Sequence, residues 1–114
     1  MSKRDTLLLL QDIQDSIVKI KKYLINFTFE DFINDDKTID AVVRNFEIIG
    51  EASSKIELEY KNENKHINWK DLKNFRNRMI HDYAGIDYEI VWDVITNYLD
   101  ELENKITQLI NEKI

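Results

Sequence analysis

The chain contains no proline and only two glycines, Gly50 and Gly85, in 114 residues. Folds rich in β-structure need glycine and proline at hairpin after hairpin, so this scarcity favours helices joined by short polar breaks. The apolar pattern agrees. Leu10, Ile13, Ile17, Ile20, Leu24 and Phe27 recur at alternating steps of three and four, a single stripe along a long amphipathic helix. The polar break NDDKT follows, in which Asp36 or Thr38 can cap a second helix. That helix carries Ile39, Val42, Val43, Phe46, Ile49, Ser53, Ile56 and Tyr60 on its inner face, and the lysine-rich KNENKHIN closes it. A third helix is expected from the cap Asn68 through WKDLKNFRNRMIHDY, with Trp69, Leu72, Phe75 or Arg76, Met79 and Tyr83 on one side. Gly85 breaks it. Asp87 can cap the fourth, striped by Val91, Val94, Ile95, Tyr98, Leu102, Ile106 and Leu109, and the short FEDFIND segment adds a turn.

The expected fold is all-α: one domain over residues 1–114, an up-and-down bundle of four to five helices with near-antiparallel packing. A chain of this length can bury a core without covalent staples, and 43% hydrophobic with 33% charged residues is a globular composition. The absence of cysteine excludes disulfides and thiolate metal sites and points to a reducing compartment. Near the start, the apolar run Leu7–Leu10 stops after four residues, short of the roughly 7–15 of a signal-peptide core. No stretch reaches the roughly 18 apolar residues of a membrane span. A soluble, cytoplasmic protein is expected.

Net charge is −6 and the isoelectric point about 4.9, which counts against non-specific binding of long duplexes. The charge is uneven. From Lys65 to Arg78 five basic residues (Lys65, Lys70, Lys73, Arg76, Arg78) face one acid, Asp71, whereas Asp82 to Glu103 holds seven acids and no lysine or arginine. The acidic part reads as a solvated helix face or as a dock for a basic partner.

FRNRMIHDY, Phe75 to Tyr83, lies where the two regions meet. It collects two of the four arginines and one of the two histidines of the chain. On a continuous helix Asn77 and His81 share a face, and Arg76 and Tyr83 share a neighbouring stripe. His81 then lies about 140° round from Arg76 at 100° per residue, so convergence needs the helix to loosen before Gly85. A histidine for proton transfer, an arginine for phosphate oxygens and a tyrosine hydroxyl suit phosphodiester chemistry. RNA can be cut without metal when its 2′-hydroxyl attacks the adjacent phosphorus. That reaction needs a base, an acid and positive charge. His81 fits base or acid and Arg76 the charge; a second histidine would have to come from a second copy of the chain. The same residues also fit a capped helix end, with the arginines paired to Asp71 or Asp82.

DAVVRNFEIIGEASSKI (Asp40–Ile56) followed by INWKDLKNFRNRMIHDYAGIDYEIVWDVI (Ile67–Ile95) resembles the HepT-like family of the HEPN superfamily, with Arg76, His81 and Tyr83 at the places of its Arg-x4-His-x-Tyr signature. The resemblance implies an all-helical homodimer with the two motifs flanking an interface cleft. It also implies a metal-independent endoribonuclease toxin without cofactors, acting in some members on tRNA. It further implies a minimal nucleotidyltransferase encoded alongside, the antitoxin, that adenylylates Tyr83. On this likeness Arg76 and His81 are catalytic and Asn77 supports them. Two positions depart from the family pattern: Asp82, where relatives often have a small residue, and Asn68, where they usually have proline. A non-catalytic adaptor that binds nucleotide, or presents substrate to the nucleotidyltransferase, is the rival reading.

Glu51, beside an apolar stripe, is expected to pair with Arg76 or Arg44 and to support the motif helix. Gly50 is expected to allow close helix packing. ENKH, Glu63–His66, has Glu-x-x-His spacing but lies in a polar segment, without the further glutamates a di-metal bundle needs.

Overall fold

The computed structural model describes residues 3–81 and 84–114. Among them are eight helices and one short two-stranded ribbon. Helix α1 (Lys3–Tyr23) carries the first stripe, and Leu10, Ile13, Ile17 and Ile20 are fully buried on it. The helix ends before Phe27. Asn26 takes a left-handed φ of 64°, which turns the chain into α2 (Phe29–Ile33). Thr28 and Asp31 form a reciprocal capping box at that start, so FEDFIND is a real helix.

Each of the remaining three apolar patterns is divided. The second becomes α3 (Asp36–Lys55) and α4 (Leu58–Glu63), separated where Ile56 adopts an extended backbone. Its cap is Asp35, whose side chain accepts from the Thr38 amide at 3.0 Å, rather than Asp36 or Thr38. The third becomes α5 (Trp69–Lys73), capped by Asn68 as expected, and α6 (Phe75–Met79), with Asn74 at φ −95°, ψ 6° between them. The fourth becomes α7 (Tyr88–Asn97), capped by Asp87, and α8 (Leu99–Lys113), with the break at Tyr98. The third and fourth stripes run through their breaks because α6 and α8 resume with apolar faces toward the same core, whereas α4 buries no residue and only its Tyr60 packs partly against that core.

Helix α1 packs against α3 and α8, and α3 also packs against α5 and α6, which makes a helical bundle. Phe75 sits at its centre, fully buried, edge-on to Phe46 at 5.2 Å and to Tyr98 at 6.4 Å. Gly50 brings α3 against α5 backbone to backbone. A β-carbon there would stand 3.0 Å from the Leu72 carbonyl oxygen and 3.4 Å from that of Lys73, so close packing is the reason for this glycine. On the surface Lys21 joins α1 to α8 through Asp100 and Glu103. Burial lowers the Lys21 pKa, but its hydrogen bonds to those two carboxylates outweigh this and raise it. Among the described residues no helix is long and apolar enough to cross a membrane.

Candidate active site

Helix α6 is five residues long, and its two ends are anchored by the buried Phe75 and Met79. Arg76, Asn77 and Arg78, between the anchors, are exposed as geometry requires of the opposite face. The helix stops after Met79. Ile80 turns extended (φ −122°, ψ 122°), and Ile80–His81 (β1) pairs antiparallel with Gly85–Ile86 (β2). Ile80 lies opposite Ile86, and His81 opposite Gly85. Gly85 has φ +80°, a conformation that its missing side chain allows in the return strand. The Asp87 amide extends the ladder by donating to the Met79 carbonyl at 2.7 Å.

The ribbon overturns one expectation. Asn77 and His81 do not share a helical face, because the backbone has left the helix two residues before His81. Pairing with the Gly85 strand satisfies Ile80 and His81 there, so the helical stripe through FRNRMIHDY is interrupted at Met79. Tyr83 and Asp82 lie outside the described residues.

On the ribbon, His81 keeps a half-exposed ring. Its Nε2 stands 3.4 Å from Asp87 Oδ2. The other oxygen of that carboxylate, Oδ1, accepts the Ile90 amide at 3.2 Å and so caps α7. Among the described residues Asp87 is the carboxylate that reaches the ring. The signal for it was present as His-Asp-Tyr-Ala-Gly-Ile-Asp, a glycine turn with His81 and Asp87 on either side. His81 lines an open groove of about 440 Å³ with Phe29, Ile33, Ile86, Asp87 and Tyr88.

Arg76 lines a different groove, of about 250 Å³, with Phe46, Glu47, Gly50, Glu51 and Lys73. Within one chain the two grooves share no lining residue among those described. Glu51 lies in the Arg76 groove, but its ion pair is with Arg44, at 3.3 Å, and both side chains are well exposed. Among the described residues neither Arg76 nor Arg78 has an ion-pair partner, so the pairing of Arg78 with Asp71 does not form. The Arg76 guanidinium is thus available to an anion. Lys73 beside it contributes to a positive neighbourhood: burial first, and the Lys73 charge second, lower the pKa of Lys61. No group of three or more His, Asp or Glu side chains able to hold a metal occurs among the described residues; the ENKH segment gathers none.

The arrangement offers a half-exposed imidazole with one nitrogen held by a carboxylate, and an unpaired guanidinium on the helix just before it. Proton transfer and binding of a phosphate charge are the chemistry these two groups perform.

Comparison with known proteins bears on this. The family described as ribonuclease HepT-like matches residues 13–109. "Putative RNase MJ0127" of Methanocaldococcus jannaschii is 34% identical over 112 residues, covering 98% of this chain and 93% of that protein. "Probable ribonuclease HepT" of Thermococcus cleftensis is 36% identical over 100 residues, covering 88% of this chain and 91% of that protein. No solved structure matches the chain with significance.

Proposed function

We propose that this chain, which belongs to the HepT-like ribonuclease family, is a metal-independent endoribonuclease that cuts RNA by transesterification. The observation that carries the reading is the half-exposed His81 ring held by Asp87, just beyond the short helix that bears the unpaired Arg76. The 2′-hydroxyl proton passes to a histidine, the 2′-oxygen bonds to phosphorus, and the 5′-oxygen leaves with a proton from an acid. The products are a 2′,3′-cyclic phosphate and a 5′-hydroxyl. Arg76 holds the charge that builds on the phosphoryl oxygens. Asn77, exposed beside Arg76, supports it.

One chain supplies one histidine in this segment, and its Arg76 and His81 open into separate grooves. A homodimer resolves both points, because facing copies can set the Arg76 of one beside the His81 of the other and provide a base and an acid. The substrate is then a short unpaired RNA segment, such as a tRNA loop, which needs fewer phosphate contacts than a duplex and suits an acidic protein. In a toxin–antitoxin pair, a minimal nucleotidyltransferase neutralises the chain by adenylylating Tyr83, which fills the cleft with phosphate and adenine. The family membership supports this reading.

The test is incubation of the purified chain with a small-RNA pool in the presence of chelator, followed by analysis of the 3′ ends. Chelator-insensitive cleavage leaving 2′,3′-cyclic phosphates is expected; cleavage lost with chelator would show metal chemistry instead. The separate grooves also fit the adaptor reading, in which Arg76 and His81 only bind a phosphate. Nucleotide binding by an intact dimer that leaves RNA uncut would establish that reading in its place. For the antitoxin arm, the partner nucleotidyltransferase should transfer labelled AMP to the wild type and none to Tyr83→Phe. Equal labelling of that variant would refute Tyr83 as the acceptor.

A further inference from the structure

We infer that Asp87 is a positioning residue for His81: its carboxylate orients the imidazole for proton transfer while it caps helix α7, so one side chain ties the catalytic ring to the fold. The catalytic part of this inference rests on the ribonuclease reading; the orienting part stands on geometry alone.

Backbone and side-chain hydrogen bonds fix Asp87. Its amide donates to the Met79 carbonyl at 2.7 Å, which locks the residue to the end of α6. Oδ1 accepts the Ile90 amide at 3.2 Å, and this bond sets the rotamer of the side chain. The remaining oxygen, Oδ2, is thereby aimed at His81 Nε2, 3.4 Å away. That spacing is longer than the 2.7–3.2 Å of a closed N–H···O bond. Catalytic hydrogen bonds are often long in the free protein, and a protonated ring would draw this one in as a charge-assisted bond. Nδ1 has no partner among the described residues, so it is the ring nitrogen left to exchange a proton with substrate.

The surroundings single out Asp87. Among the described residues the other polar side chains lining the His81 groove are Tyr88 and Glu89, at the first turn of α7, and neither makes a hydrogen bond or ion pair with the ring. The ribbon is two residues long on each strand and cannot by itself hold a half-exposed side chain in one rotamer. An orienting partner on a different element can. Asp87 belongs to the start of α7, whose Val91 and Val94 are buried in the core, so the ring is referenced to the bundle through it.

Capping and orienting are separable by substitution. Asparagine caps a helix about as well as aspartate and serine nearly so, but Asp87→Asn removes the charge and Asp87→Ser is too short to reach the ring. Both variants should melt within a few degrees of the wild type. Both should lose kcat by about ten- to a hundredfold with KM nearly unchanged, a fraction of the roughly 10²–10⁴ that a proton-transferring side chain supplies. In a His81→Ala background neither should reduce the residual rate further. A residue that serves only as a cap would behave differently: Asn and Ser would match the wild type, and any loss would add to that of His81→Ala.

The orienting part is measured without RNA, by NMR relaxation of the His81 ring in the full chain, with the ring of His66 as the internal reference. The expected result is an ordered His81 ring in the wild type and a mobile one in Asp87→Ser, which cannot reach the ring. Equal ring order in the two would overturn the inference. If the wild type does not cut RNA while its ring is released by Asp87→Ser, the orienting contact stands and the ribonuclease reading fails.

Discussion

His81→Ala is expected to reduce RNA cleavage by about 10²–10⁴-fold, the range a general acid–base residue contributes, with no change in circular dichroism or oligomeric mass. The side chain is 49% exposed and lines an open groove, so its truncation leaves no enclosed cavity. The hydrogen bond it gives up among the described residues is the one to Asp87, which keeps its capping bond to Ile90. A rate loss without a stability loss is therefore the signature of chemistry. Cleavage at the wild-type rate by His81→Ala would remove the imidazole from the mechanism and leave Arg76 as a phosphate binder.

Phe75→Ala is expected to cost about 3–5 kcal/mol of folding stability, the range for removing a fully buried aromatic ring. The ring is completely enclosed and contacts Phe46 from α3 and Tyr98 between α7 and α8, so the vacancy opens where three parts of the bundle meet. Against a total of about 5–15 kcal/mol this is a large fraction, and each kcal/mol lowers the melting temperature by roughly 4–8 °C in a domain near this size. Phe75→Leu keeps most of the volume and should cost less than half as much. Thermal melting of the two variants decides the matter: equal, small losses would show that the site collapses around the deletion. Because Phe75 also begins α6, the Ala variant should release Arg76 from its groove, coupling loss of packing to loss of phosphate binding.

The two cases differ in how legible they were beforehand. Phe75 stands in an apolar stripe, and a stripe is a local property: residues three and four apart share a face whatever the rest of the chain does. The same holds for the caps at Asn68 and Asp87, because a cap bonds to an amide three residues ahead. His81 is a different matter. Its residue type marked it as chemical, but its surroundings depended on where α6 ended. The helical projection through Asp82 and Tyr83 placed His81 on the Asn77 face; the chain instead turns extended at Ile80, and His81 pairs with Gly85, four positions on. Glu51 shows the same limit. Its partner is Arg44, two turns back on its own helix, although Arg76 lies in the same groove.

By itself the sequence determined the helical class, the buried stripes, the family and the residues able to carry acid–base and phosphate chemistry. Each of these follows from residue type or from spacing within a turn or two. The tertiary structure decided the breaks at Ile56, Asn74 and Tyr98, the end of α6 at Met79, the ribbon that carries His81, and the choice of Asp87 as its partner. These depend on contacts between elements. A stripe looks the same whether the helix beneath it is whole or divided, and only the close approach of α3 to α5 and of β1 to β2 selects one.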